Sequence, residues 1–218
     1  MSKLSYKAIG FLGIGTIFSS IILNQFFPST VHWMPEGFYT PIIAYEFITS
    51  LNEFHKMVLH DVTIFDLANK MDFIFAIIYA TFLGLFSYKV GYNSNGPLKH
   101  LPYIAILSCL FDWLENICLL YIPSIPLHEE THLIIYLQLF TWLKWFFISL
   151  CLFGISVCIY NSYKNRFSFL LISPIAFACS AWFHRGILNE LMALSIGISF
   201  IFIIVFVFQM HFKLEKHT

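Results

Sequence analysis

A chain of 218 residues in which 59% are hydrophobic and only 11% charged is not an ordinary soluble domain, where about a quarter of residues carry charge. Twelve Lys and Arg balance twelve Asp and Glu, and no basic stripe interleaved with aromatics marks a nucleic-acid partner. The composition is that of an integral membrane protein, read as one all-α membrane domain over residues 1–218.

Ala8 to Phe27 is an uncharged run of about 20 residues, long enough to span a bilayer. Lys3 and Lys7 precede it, and no small-x-small cleavage site follows at Pro28-Ser29-Thr30, so it reads as an uncleaved anchor. Beyond Pro28 lies the longest non-spanning segment. Within it Thr40-Pro41 predicts a helix start, and Ile43, Phe47, Leu51, Phe54 and Val58 recur at three- and four-residue steps. Thr49, Asn52, Glu53 and Lys56 occupy the other side. The pattern predicts an interfacial amphipathic helix between the first two spans, with His55 and His60 in the same segment.

Further spans are expected over about 72–88, 101–122, 133–160, 167–183 and 191–212, giving a six-helix transmembrane bundle. Gly91 to Pro97 has strong turn chemistry, Pro123 and Pro126 mark the next break, and Pro174 predicts a kink in the short fifth span. The 26 Phe point to packing through large side chains, with little use of small-residue seams. Cys109, Cys118, Cys151, Cys158 and Cys179 all fall in apolar runs and read as buried hydrophobes.

Six spans put both termini on one side. Lys3, Lys7, Lys89, Lys99, Lys164, Arg166, Lys213 and Lys216 fall on that side, and only Lys56, Lys70 and Arg185 on the other. The positive-inside rule therefore predicts cytoplasmic termini.

The chemistry concentrates in Phe111-Asp112-Trp113-Leu114-Glu115-Asn116. Asp112, Glu115 and Asn116 stand at i, i+3 and i+4, one polar stripe on a helix. At a rise of about 1.5 Å per residue Asp112 lies about 16 Å in from Leu101, near mid-bilayer, where charge is costly and tied to function. Lys144, the sole basic residue inside a span, reaches a similar depth and is expected to pair with Asp112 or Glu115. Asp72, at the outer end of the second span, adds a third acid, with Tyr79 on its helix face either as a donor to it or as ordinary packing. The excess acid calls for protonation, a bound cation, or His184 and Arg185 reaching in from the following outer turn. The bland reading is an ion-pair network that only fixes helix packing. Asn189 and Glu190 are expected to face the outer vestibule.

His128-Glu129-Glu130-Thr131-His132 matches the His-Glu-x-x-His zinc pattern. It lies in a short outer loop with no third ligand evident by spacing, although His184 or Glu190 is within reach from another outer turn. The alternative is a solvated, acidic start to the fourth span.

Asp-x6-Tyr (Asp72, Tyr79), Asp-x-x-Glu-Asn (Asp112, Glu115, Asn116) and Leu143-Lys144-Trp145, in successive spans, resemble a set of small bacterial polytopic membrane proteins of largely uncharacterised function. The match covers about the middle half of the chain. The set often has proline where this chain has Ala76, and many members lack the last two spans. The resemblance implies a bacterial inner membrane and an acid–lysine constellation that belongs together, and it brings no activity. A fainter similarity is to sterol-isomerase-type bundles, whose carboxylates line a cavity for sterols or lipid-like amines.

The leading expectation is an outward-opening intramembrane site for a lipid or small apolar amine. Asp112, Glu115 and Lys144 would act on the ligand, and Asp72, Tyr79, Asn116, His184 and Arg185 would bind it. The alternatives are a proton- or cation-coupled transporter, a non-catalytic assembly partner, and a zinc hydrolase using His128, Glu129 and His132. Membrane lipids are the expected partners, and no cofactor is expected outside the zinc reading.

Overall fold

The structure, a computed structural model, describes residues 5–58, 60–91, 97–126 and 132–215. These fold as α1 (Tyr6–Phe26), α2 (Pro41–Glu46), α3 (Leu51–Val58), α4 (Val62–Gly91), α5 (Leu101–Tyr121), α6 (Leu133–Tyr163), α7 (Ser173–Ala181) and α8 (Ile187–Glu215), with short 3₁₀ turns between some of them. Helices satisfy their own backbone donors and acceptors, which hydrocarbon demands. Five of them or their extensions, Tyr6–Phe26, Val62–Gly91, Pro97–Ser124, Leu133–Tyr163 and Ile187–Glu215, are long and apolar enough to cross a membrane. The chain is therefore a multi-pass membrane protein.

Local sequence sets the ends. The Ser5 hydroxyl accepts from the Lys7 N–H at 3.2 Å and caps α1. Pro102 sits in the first turn of α5, where a missing N–H costs nothing. Lys164, at a left-handed φ of 53°, closes α6. Gly186 (φ 109°) and Gly37 (φ 83°) cross backbone to backbone, and a Cβ on Gly186 would lie 3.2 Å from the Gly37 Cα. Only glycine suits that crossing.

α5 packs between α4 and α6, α1 lies against α4 and α8, and α7 against α6 and α8. At one end the Tyr6 and Tyr163 hydroxyls meet at 2.9 Å, and Phe11 stands edge-on to Phe208. At the other, Gln138 Nε2 donates to the Thr49 carbonyl at 3.2 Å and the His55 ring pairs with the Ile125 carbonyl at 3.0 Å. Glu190 there accepts from the Tyr39 and Thr40 N–H groups and the Thr40 hydroxyl. The bundle thus has a terminal end and an α2–α3 end.

Two elements differ from expectation. The amphipathic pattern over 41–58 is two helices, broken at Phe47–Ser50, and only α3 has a wet face. In α2 every residue but Ile42 is buried. The fifth apolar segment is a 3₁₀ helix, Arg166–Ile172, continued by α7. Pro174 lies in the first turn of α7, so it starts an α-helix where a kink was expected. This segment is stapled along α6, from Ser156 Oγ on the Ser168 carbonyl at 2.7 Å to Trp142 against Trp182 at 5.1 Å. At about 2.0 Å per 3₁₀ residue and about 1.5 Å per α residue it is about 28 Å long.

Candidate functional site

The polar stripe of α5 faces the bundle, with Asp112 3% exposed, Glu115 0% and Asn116 1%, while Leu110, Leu114 and Ile117 face outward. α4 contributes Asn69, Asp72 and Tyr79, buried on one face, and α6 contributes Lys144 and Trp145. The fourth contributor is Glu46, the last residue of α2.

Lys144 sits between two carboxylates. Its Nζ is 2.6 Å from Glu115 Oε2 and 2.9 Å from Glu46 Oε2. Trp145 Nε1 also donates to Glu46 Oε2 at 2.9 Å, and Thr141 Oγ1 donates to the Glu46 carbonyl at 3.2 Å. These bonds hold the end of α2 inside the bundle, which is why α2 is buried. Of the two partners expected for Lys144, the structure shows Glu115, and it adds Glu46.

Beside this group lies a second one. Tyr79 OH donates to Asp112 Oδ2 at 2.8 Å. Asn116 Nδ2 donates to Asp112 Oδ1 and Asp72 Oδ2, both at 3.1 Å, and Asn69 Nδ2 donates to the Asn116 carbonyl at 2.9 Å. The Asn116 amide spends both hydrogens on carboxylates, and turned over it would oppose oxygen to oxygen. One ammonium faces four buried carboxyl groups, Glu46, Asp72, Asp112 and Glu115. Coulomb attraction in a low dielectric makes such a set a strong trap for positive charge, as protons or as a cation.

A cavity of about 230 Å³ opens beside the cluster, with Glu46, Asp72, Tyr79, Asp112 and Lys144 on its polar wall. Ile17, Leu23, Phe75, Ile148, Ile196 and Phe200 are among its apolar walls. Glu115 lies behind Lys144 and is not on the wall. α1 and α8 touch tightly towards the terminal end, on the far side of Ile17 from the cavity. There a Cβ on Gly10 would lie 2.8 Å from Phe208, and one on Gly13 2.6 Å from Ile204. Further along, Ile17 and Ser20 face Ala193 and Gly197 across open space.

Several expected site residues are placed differently. Asp72 is ten residues inside α4, because the helix begins at Val62 and not at the first uncharged stretch. Tyr79 bonds to Asp112 and not to Asp72, the nearer acceptor being on the neighbouring helix. His184 is exposed, and Arg185 is turned to Glu53 and Thr49 at the α2–α3 end, so neither reaches the cluster. Glu190 caps the start of α2. His128 and Glu129 lie outside the described residues, and His132 is exposed just before α6. Among the described residues no group of three or more His, Cys, Asp or Glu is placed to hold a metal ion.

Glu46 is the residue that the sequence reading missed. Its signal was present, as one acid inside the apolar run Pro41 to Ile48, on the same helical face as Ile43. Set against known proteins, no family model, curated protein or solved structure matches the chain.

Proposed function

We propose that the protein is a six-pass membrane protein whose central cavity binds a small apolar amine or an amine-bearing lipid. The carrying observation is the cavity of about 230 Å³, apolar on most walls and ending on Glu46, Asp72, Asp112 and Lys144. Pockets that bind small molecules combine apolar walls with a few convergent polar groups. Here the polar wall has two more acids than bases, so its complement is a cation with a hydrocarbon body. Asp72 and Asp112 are the groups that would take the ammonium. Lys144 is already held by two carboxylates, and Glu115, behind it, holds its charge in place.

The sixth pass is the segment Arg166–Ala181, whose length of about 28 Å approaches the roughly 30 Å hydrocarbon thickness. With six passes both termini are cytoplasmic, and the α2–α3 end, carrying α3 at the interface, is the outer one. The resemblance to small bacterial polytopic proteins favours the inner membrane of a bacterium.

Thermal unfolding of the purified protein in detergent, with octylamine, octanol and octanoate as matched probes, tests the ligand. Octylamine should raise the melting temperature by several degrees, since ligand at 100 times its Kd adds about 2.7 kcal/mol, and octanol and octanoate should not. Asp72→Asn and Asp112→Asn should lose the shift. Gly197→Leu should lose it too, filling the cavity where an added Cβ meets nothing within 4 Å. Equal shifts with all three probes, or an octylamine shift that survives Gly197→Leu, would refute the reading.

A further inference from the structure

We infer that small cations reach the central site from the α2–α3 end by way of Glu46, past a latch made by Arg185 and Glu53. The inference rests on the central cavity being a cation site and adds the route by which it fills. A second cavity, of about 180 Å³, lies at the α2–α3 end and is bordered by Glu46, Thr49, Gln138, Trp142, Trp182 and Arg185. Glu46 borders the central cavity as well, so its carboxylate side chain is common to both walls. It stands at the last residue of α2, where the chain leaves the helix for the Phe47–Ser50 elbow. A carboxylate shared by two cavities is a stepping point for cations and a barrier to anions.

Arg185 and Thr49, on the wall of the outer cavity, are tied to Glu53 by one polar contact. Arg185 Nη1 donates to Glu53 Oε2 at 3.0 Å and to Thr49 Oγ1 at 2.7 Å, and Nη2 donates to Glu53 Oε1 at 2.9 Å. Its side chains are 27% and 23% exposed, so water reaches the latch. Opposite, towards the terminal end, the bundle is packed shut. Gly13 is pressed against Ile204 and Phe82, Phe82 meets Phe200, and Phe206 meets Phe86 and Tyr163. Among the described residues the α2–α3 side thus carries polar groups leading to Glu46, whereas the terminal side is apolar and tightly packed.

The test is chemical access to a cysteine on the central cavity wall, in sealed vesicles, using a membrane-impermeant trimethylammonium methanethiosulfonate. Gly197→Cys is the reporter and Ile43→Cys, also on that wall, the second one should the first not fold. Site-specific mass spectrometry separates either from the native cysteines. The reagent should modify the reporter from the face bearing the α2–α3 end. Arg185→Gln should speed modification several-fold, and Glu46→Gln should slow it. Folded protein with no modification, modification only from the opposite face, or a rate indifferent to Arg185→Gln would overturn the route. The octylamine shift is read on the protein without reporters, so the route and the amine reading fail separately.

Discussion

At the scale of single residues, the charges of this protein work as sets. Lys144 has a carboxylate on either side, and removing either partner leaves the other pair standing. Removing the lysine strands two buried acids, a change that typically costs about 3–5 kcal/mol. Glu53 is the complementary surface case. Burial alone would raise its carboxyl, but bonds from Arg185 and from the Thr49 N–H and hydroxyl, with the Arg185 charge, outweigh that and hold it below the ordinary 4.5. A group lowered on folding gives stability that is complete above its unfolded value and is lost as pH falls through the folded one. Wild type should therefore melt above Glu53→Gln at neutral pH, with the gap closing only below about pH 4.5. Partial exposure limits the effect to about 1 kcal/mol. Melting curves for both proteins across that range check it, and a gap that persists unchanged in strong acid would contradict it.

At the scale of elements, the contact of α1 with α8 corrects the expectation that a Phe-rich chain does without small-residue seams. Gly10 lies under the Phe208 ring, and Gly13 under Ile204 and Phe82. Large rings on one helix require small residues on the other. Gly15, on the same helix, has nothing within 4 Å of its would-be Cβ. Gly13→Leu should thus destabilise by about 1–3 kcal/mol through overpacking, while Gly15→Leu should stay within about 0.5 kcal/mol. Unfolding of the two variants in detergent decides, and equal effects would mean that the seam does not hold α1 in place. The elbow between α2 and α3 is a second lesson of this kind. Period alone joined 41–58 into one surface helix, but the bonds of Glu46 to Lys144 and Trp145 draw α2 into the bundle and force the break.

At the scale of the whole molecule, five helices long and apolar enough to span and a sixth, shorter segment give two countings. Six passes place both termini on one face, and five place them on opposite faces. Epitope tags at each terminus and within 92–96 should share one face, with a tag within 127–131 on the other. Protection from a membrane-impermeant label in intact vesicles reads this, and termini on opposite faces would exclude the sixth pass.

Much of this was legible in the residues. Long uncharged runs have no soluble fate, so membrane insertion and most helix positions follow from hydropathy. Asp112, Glu115, Asn116 and Lys144 stood out because charge within such runs is rare and expensive. Sequence spacing is one-dimensional, however, and it carries no distance between helices. It offered Lys144 two partners of equal merit, and Tyr79 either the acid on its own helix or plain packing. Only the packed bundle decided that Glu46 completes the lysine clamp, that Tyr79 serves Asp112, and that Arg185 stays with Glu53. The cavity, too, is a property of tertiary structure, since its walls come from helices far apart in the sequence.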